Sequence, residues 1–284
     1  MHIWTSQVGY PVVKVTETSE GITLQQNRFL QSADIKPKED EVIYPILTSL
    51  IIGRETEVPV QFTTRTLDIP LKSHEFFKLN KGQNGFYRTL YTPERLLKLG
   101  EATKTGTLGV KDQMGLIADT GALAASGYQK TSALLGLLLS MSSETSANVW
   151  DLIVANLSLV EEAFKLKSTA ISEGLKRFKR DLTAPRAHQL GWNVSSGSDA
   201  LLIKNKVTLF LAAGQSGDKK YESVIVIPRL RHTYNIKQVH RSSKTYVQRP
   251  LHRRRQGSNE FRLRRRRITY RFCRRDRARL QHHA

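Results

Sequence analysis

Hydrophobic and polar positions change period once along this chain, and the change divides it. From Pro11 to about Tyr91 the apolar positions come in short runs broken by turn residues. Val13-Lys14-Val15-Thr16 alternates apolar and polar, as a strand with one buried face requires, and Ser19-Glu20-Gly21 can turn the chain back into Ile22-Thr23-Leu24 as a hairpin. Val42 to Ile52, Val58 to Phe62, Thr66 to Leu71, Phe76 to Leu79 and Phe86 to Tyr91 read as further strands, with Gly53, Pro70 and Gly82 as punctuation. About seven short strands with turns between them predict a small antiparallel β-sandwich.

At Thr92 the period becomes helical. Thr92 is a capping residue and Pro93 a favourable first helical position, since proline lacks the N–H that would go unbonded there; Leu96, Leu97 and Leu99 then supply an apolar side. Leu116, Ile117, Leu123 and Ala124 recur at helical spacing up to Gly127, and a second run spans Thr131 to Met141. Val149, Trp150, Ile153 and Leu157 define another stripe, Ile171, Leu175 and Phe178 a further one, and Leu202 to Ala213 a last. Successive helices with short connections predict antiparallel pairs and a solenoid-like, incomplete helical-repeat domain. The fold class is therefore β then α. The expected division is a segment 1–10, a β-sandwich 11–91, a helical domain 92–227 and a tail 228–284.

Charge changes the picture only at the tail. The formal net charge is +20, but residues 229–284 hold 17 Arg and two Lys against two acids, Glu260 and Asp276, so the rest of the chain is nearly neutral. The body uses 18 Lys and 8 Arg, so arginine displaces lysine abruptly after about Ile227. The runs 253–255 and 264–267 put Arg on every side of any helix and leave no face to bury, which predicts a disordered basic segment. Such a segment binds polyanions non-specifically through counterion release, and Tyr234, Tyr246, Phe261, Tyr270 and Phe272 offer rings on which bases can stack, so a nucleic-acid-binding arm is the alternative reading. An abrupt change of composition is also what a shifted reading frame leaves.

Cys273 is the one cysteine, which excludes an intramolecular disulfide and a multi-cysteine zinc knuckle and suits a reducing compartment such as the cytoplasm. The longest apolar run, Leu134 to Met141, is far short of the roughly 20 residues of a membrane-crossing helix, and no opening stretch has the pattern of a secretion signal. No membrane role is expected.

Candidate chemistry is sparse. His74-Glu75-Phe76-Phe77-Lys78 begins like the H-E-x-x-H zinc helix, but Lys78 stands where the second histidine belongs and the segment reads as a strand. His2, His74 and His188 are far apart in the body, so no Ser/His/Asp set is expected. Glu161-Glu162 reads as solvated helix surface, and Gly82-Gln83-Asn84-Gly85 lacks the lysine and helix of a phosphate loop. No catalytic, metal or cofactor residue is expected in the chain.

Five segments, in order, resemble the M1 zinc aminopeptidases, particularly the yeast-type and puromycin-sensitive branch. Trp4-Thr5-Ser6-Gln7-Val8-Gly9-Tyr10-Pro11-Val12-Val13 is similar to the W-x-x-x-x-G-[FY]-P-[VL]-[VL] segment that closes the family's catalytic domain, and Gln26-Asn27-Arg28-Phe29 to the Q-x-R-[FY] strand that follows. Lys78-Leu79-Asn80, Gly85-Phe86-Tyr87-Arg88 and Tyr91 resemble the K-[LI]-N…G-[FY]-Y-R-x-x-Y signature. Between Lys111 and Tyr128, the residues Asp112, Gly115, Leu116, Asp119, Ala125 and Gly127 match D-[RQ]-x-G-L-x-x-D…A-x-x-G, and Leu190-Gly191-Trp192 is similar to a later L-G-W turn. The resemblance implies a family that removes N-terminal residues from peptides with a zinc site built on H-E-x-x-H and a G-x-M-E-N segment. Neither motif occurs here, so it implies a non-catalytic C-terminal portion without zinc of its own, whose helices wall a peptide cavity, and which is either a truncated gene product or one piece of a divided enzyme with its catalytic domain on a separate chain.

Overall fold

A computed structural model describes residues 2–225, apart from 33, 54–55, 73–75 and 194–196. His74, Glu75 and the basic segment 228–284, with its stacking aromatics, lie outside the described residues. A short helix α1 (His2–Ser6) precedes seven strands: β1 (Pro11–Glu17), β2 (Gly21–Arg28), β3 (Ile46–Ile52), β4 (Thr56–Phe62), β5 (Thr66–Pro70), β6 (Phe77–Leu79) and β7 (Arg88–Leu90). Seven helices follow: α2 (Pro93–Lys104), α3 (Val110–Ala125), α4 (Thr131–Ser140), α5 (Ala147–Phe164), α6 (Thr169–Leu190), α7 (Ala200–Gln215) and α8 (Lys219–Ile225).

The strands form two sheets, β5-β2-β1-β7 and β4-β3-β6. In the β1–β2 hairpin Val15 faces Leu24 and Val13 faces Gln26, so the alternation read along β1 places Val13 and Val15 inside and Lys14 and Thr16 outside. The turn closes where Thr18 Oγ1 accepts the Gly21 N–H at 3.1 Å. Gly21 is dictated by neighbouring backbone: a Cβ there would stand 2.1 Å from the Ile69 carbonyl oxygen on β5. Gln26, buried on β2, uses its amide as a strand edge, accepting Tyr44 N at 2.9 Å and donating to Tyr44 O at 3.1 Å and Thr64 O at 2.8 Å.

One pair departs from the antiparallel expectation. β7 runs parallel to β1, with Val12, Val13 and Lys14 opposite Arg88, Thr89 and Leu90. Strand lengths also differ from the sequence reading. β3 starts at Ile46 rather than Val42, and β7 loses Phe86 and Tyr87 to the turn that carries Gly85.

The two sheets share one core with the helices, running from Val13, Leu24, Leu50 and Phe62 through Tyr91, Leu96 and Leu116 to Trp150, Leu182 and Leu209. Thr92 caps α2, accepting the Arg95 N–H at 3.2 Å, with Pro93 in the first turn. Farther on, α3 packs against α4 and α5, α5 against α6 and α7, α6 against α7, and α7 against α8. Of the stripe Ile171, Leu175 and Phe178 on α6, the last two are partly buried and pack against the core. The same side becomes fully buried farther along, at Lys179, Leu182, Thr183 and Ala187, while Ile171 in the first turn of this 22-residue helix is 43% exposed. On α7 the buried residues are likewise Leu209, Phe210 and Ala213, while Leu202 stays partly exposed.

Candidate functional site: the junction of sheet and helix

Most of the residues that carry the resemblance converge where the strands end and α3 begins, whereas Leu190-Gly191-Trp192 lies at the end of α6 with Trp192 against Phe210 of α7. Asp112 and Asp119 are seven residues apart, two helical turns, so they project from the same face of α3 toward the sheets. Each meets a cation from a strand.

Lys78 sits at the centre of β6 with 1% of its surface exposed. Its ammonium lies 2.7 Å from Asp112 Oδ1 and donates to Leu79 O at 3.1 Å and Asn80 O at 2.9 Å, which occupies all three of its protons. Burial pushes its pKa below the ordinary lysine value, against the opposing pull of Asp112 and, farther off, Asp119. Asp112 Oδ1 also accepts the Gly82 N–H at 2.8 Å, so one carboxylate fixes both the strand and the loop after it.

That loop is locked from within. Asn80 holds a left-handed conformation (φ 61°, ψ 56°), which asparagine tolerates better than most residues. Its side chain accepts Gly85 N at 2.7 Å and donates to Gly85 O at 3.1 Å and Gln83 Oε1 at 3.2 Å. The Gln83 amide in turn lies over Gly115 of α3, where a Cβ would come within 1.8 Å of Nε2. This explains why the helix carries a glycine in mid-length despite its low helix propensity. Gly85 makes room in the same way for the Tyr87 ring, which a Cβ would approach to 2.3 Å.

The second pair closes the other end. Arg88 Nη1 donates to Asp119 Oδ1 at 3.1 Å and to Ala118 O at 3.3 Å, and Nε donates to the Tyr10 hydroxyl at 3.0 Å. Its guanidinium stands over the Tyr10 and Phe29 rings, 5.7 and 5.4 Å from their centroids. Asp119 Oδ2 accepts the Thr89 N–H at 3.0 Å. Burial pushes the Asp119 carboxyl up to about 6, although that N–H, Arg88 and Lys78 all favour its charge. Phenols complete the seam: Tyr91 OH accepts Leu79 N at 2.8 Å, and Tyr128 OH accepts Leu30 N at 3.0 Å while its ring stacks on Phe29.

This arrangement holds two layers in fixed register. It has no nucleophile paired with a base, and its polar groups point at one another. The second-ligand position of the incomplete zinc motif, Lys78, is an ion-pair partner. Gly82 gives its N–H to a carboxylate, which a phosphate-cradling loop could not spare. Glu161 departs from the sequence reading: it is not only solvated surface but the partner of buried Lys179 at 2.7 Å, whereas Glu162 faces solvent beside Lys165. His188 bonds Asp218 at 3.2 Å, in a shallow, open depression it shares with Arg180, Lys219 and Lys220. His2 lies 3.3 Å from Ser6 at the other end of the unit. Zinc does not fit the described residues: no three His, Cys, Asp or Glu converge among them, and the two buried carboxylates of α3 are taken by cations. Among the described residues no helix is long and apolar enough to cross a membrane. The sequence reading missed the linkage of Lys78 to Asp112 and of Arg88 to Asp119, although all four residues stood in its motifs.

Comparison with known proteins places these residues in context. The family model of the ERAP1-like C-terminal domain matches residues 76–227. The chain is 38% identical over 226 residues to the alanine/arginine aminopeptidase of Saccharomyces cerevisiae, covering 80% of this chain and 26% of that protein. It is 39% identical over 220 residues to aminopeptidase 2 of Candida albicans, with 77% and 24% covered. Aminopeptidase M1-A of Oryza sativa is 32% identical over 229 residues, with 76% and 25% covered. The chain thus spans about a quarter of the length of the curated relatives it matches.

Proposed function

The chain belongs to the M1 aminopeptidase family, and from that premise we propose that it is the non-catalytic C-terminal portion of such an enzyme, a β-sandwich that carries a helical array forming one wall of the peptide cavity. The observation that carries this reading is the junction itself. Two of the motifs by which the chain resembles the family, around Lys78 to Arg88 and Asp112 to Asp119, fasten α3 to the strands, as a scaffold requires, and form no reactive constellation. The succession α3, α5, α7, with α6 laid across α5 and α7, supports a layered, solenoid-like array. We divide the chain into the sandwich at 11–91 and the helical domain at 92–227. The complete enzyme's activity is removal of N-terminal residues from peptides with zinc held elsewhere than in this chain, and the single cysteine suits a cytoplasmic setting.

The test combines absence and rescue. The purified chain with Zn²⁺ and a panel of aminoacyl-anilides should give no chelator-sensitive turnover. Added to a separately produced catalytic region of the Candida albicans relative, it should raise peptide turnover at least tenfold. Turnover by the chain alone overturns the non-catalytic assignment, and a smaller effect on the catalytic region overturns the role in the cavity.

A further inference from the structure

We infer that Asn84 is a self-modification site, at which the backbone nitrogen of Gly85 closes onto the side-chain carboxamide and expels ammonia, and that Asn80 gates the reaction by holding that nitrogen. The inference stands on the loop after β6 and does not depend on peptide hydrolysis. Asn84-Gly85 is the one Asn-Gly step in the chain. Asparagine followed by glycine is the pair most open to this chemistry, because no Cβ on the second residue hinders the approach of its nitrogen. Asn84 is exposed, and its carboxamide lies over Gly82, with Nδ2 3.5 Å from where a Cβ would stand there. Among the described residues nothing hydrogen-bonds that carboxamide. The group under attack is therefore free to turn.

The attacking nitrogen is not. Gly85 N–H donates to Asn80 Oδ1 at 2.7 Å and Gly85 O accepts from Asn80 Nδ2 at 3.1 Å, so one side chain grips both polar groups of the glycine. Attack requires an amide nitrogen that has lost its proton, and a hydrogen bond that uses the proton favours its retention. Geometry opposes the step as well. Asn84 has φ −82° and ψ −24°, which nearly eclipses the Gly85 nitrogen with Asn84's own backbone nitrogen, whereas the five-membered ring needs it alongside Cβ. Turning ψ that far breaks the bonds to Asn80. Asn80 is itself anchored: it is buried, its N–H donates to Ser49 O at 2.9 Å, and its carbonyl accepts from the Lys78 ammonium at 2.9 Å. Reaction thus waits for loop 80–85 to leave the junction.

Once the loop opens, water is the only other reagent. The Gly85 amide gives its proton to solvent, its nitrogen bonds to Asn84 Cγ, and the Cγ–Nδ2 bond breaks with loss of ammonia to leave a cyclic imide. Water then adds at one of the two imide carbonyls. Breaking the new N–Cγ bond gives aspartate; breaking the original peptide bond gives isoaspartate, whose main chain runs through Cγ and is one methylene longer. The added methylene shifts Gly85 away from Asn80. The Gln83 amide that lies over Gly115 and the Gly82 N–H that Asp112 accepts belong to the same loop. The isoaspartate form does not restore this docking on α3, so a transient opening becomes a permanent release.

The experiment ages the full chain in mildly alkaline buffer in three forms: native, unfolded in guanidinium chloride, and native as Asn80→Gly, which keeps the left-handed backbone without strain but removes the gripping carboxamide. Peptide mapping by mass spectrometry measures conversion of Asn84 to the acid, and isoaspartate-specific methylation separates the two products. We expect conversion in the native parent to be about tenfold or more slower than in guanidinium, and Asn80→Gly to recover that factor. A smaller difference, or a folded Asn80→Gly that stays slow, overturns the gate; no conversion in guanidinium overturns the site. Should Asn80→Gly not fold, the parent in sub-denaturing guanidinium decides: conversion that rises in step with hydrogen exchange at the Gly85 amide supports the gate, and conversion indifferent to it overturns the gate. The purified isoaspartate form is expected to unfold at lower denaturant than the parent, and an unchanged midpoint overturns the permanent release.

Discussion

Gly115 and Gln83 show how a single atom's worth of space joins two layers. The amide of Gln83 fills the place a Cβ would take on α3, and its oxygen accepts from Asn80, which braces the loop. Gly115→Ala gains helix propensity of up to about 1 kcal/mol but drives a methyl into that amide, and overpacking of this kind costs about 1–3 kcal/mol. The loop conformation multiplies the cost, since Gln83 itself sits at φ 60° and has little freedom to withdraw. The expected outcome is net destabilisation of about 1–2 kcal/mol, read as a lower denaturant midpoint. A midpoint at or above that of the parent contradicts the fit. The sequence contains both residues inside recognisable motifs, but nothing local in it says that they touch. Lys78 is a parallel case: its failure as a zinc ligand is plain from the spacing, whereas its role appears only when Asp112 is brought to it by the fold.

At the scale of elements, signals that act within one turn were legible. The Thr92-Pro93 start of α2 and the alternation of β1 depend on near neighbours, and both are found in place. On helix α6 the apolar stripe reveals only part of the inner face, Leu175 and Phe178. Periodicity looks for apolar stripes, and the inner face also includes Lys179 and Thr183. Lys179 is buried because Glu161 of α5 and the Ser158 hydroxyl take its ammonium at 2.7 and 3.3 Å. Removing either partner leaves the other charge behind, so the cost depends on whether the remaining charge is the buried ammonium of Lys179 or the partly exposed carboxylate of Glu161, which water can reach. Lys179→Met, which keeps the buried stem, is expected to lie within about 1 kcal/mol of the parent. Glu161→Ala leaves the ammonium nearly alone and is expected to cost about 2–3 kcal/mol, reduced from the fully buried case because Glu161 is about a quarter exposed. Unfolding free energies of the two variants check this, and the reverse order contradicts it.

For the molecule as a whole, the change from strand period to helical period marked the passage from sheets to helices. The parallel pairing of β1 with β7 was not legible, since it joins strands from opposite ends of the sandwich through a register that no turn specifies. That pairing has a mechanical consequence. The chain enters β1 at one end of the ladder and leaves β7 at the other, so tension between residues on either side of the sandwich pulls the two strands past each other along their length. The β1–β2 hairpin is antiparallel, and tension applied across its open end peels one bond at a time. With Cys273→Ser as background and handles on the exposed positions Val8 and Glu94, the sandwich should rupture at a higher force than with handles on Val8 and Ser32. Single-molecule pulling measures the difference directly, and rupture forces that are equal or inverted would mean that β7 gives way before its ladder to β1 is loaded. A strand only three residues long thus becomes the element through which load from the helices reaches the sheet, in shear rather than by unzipping.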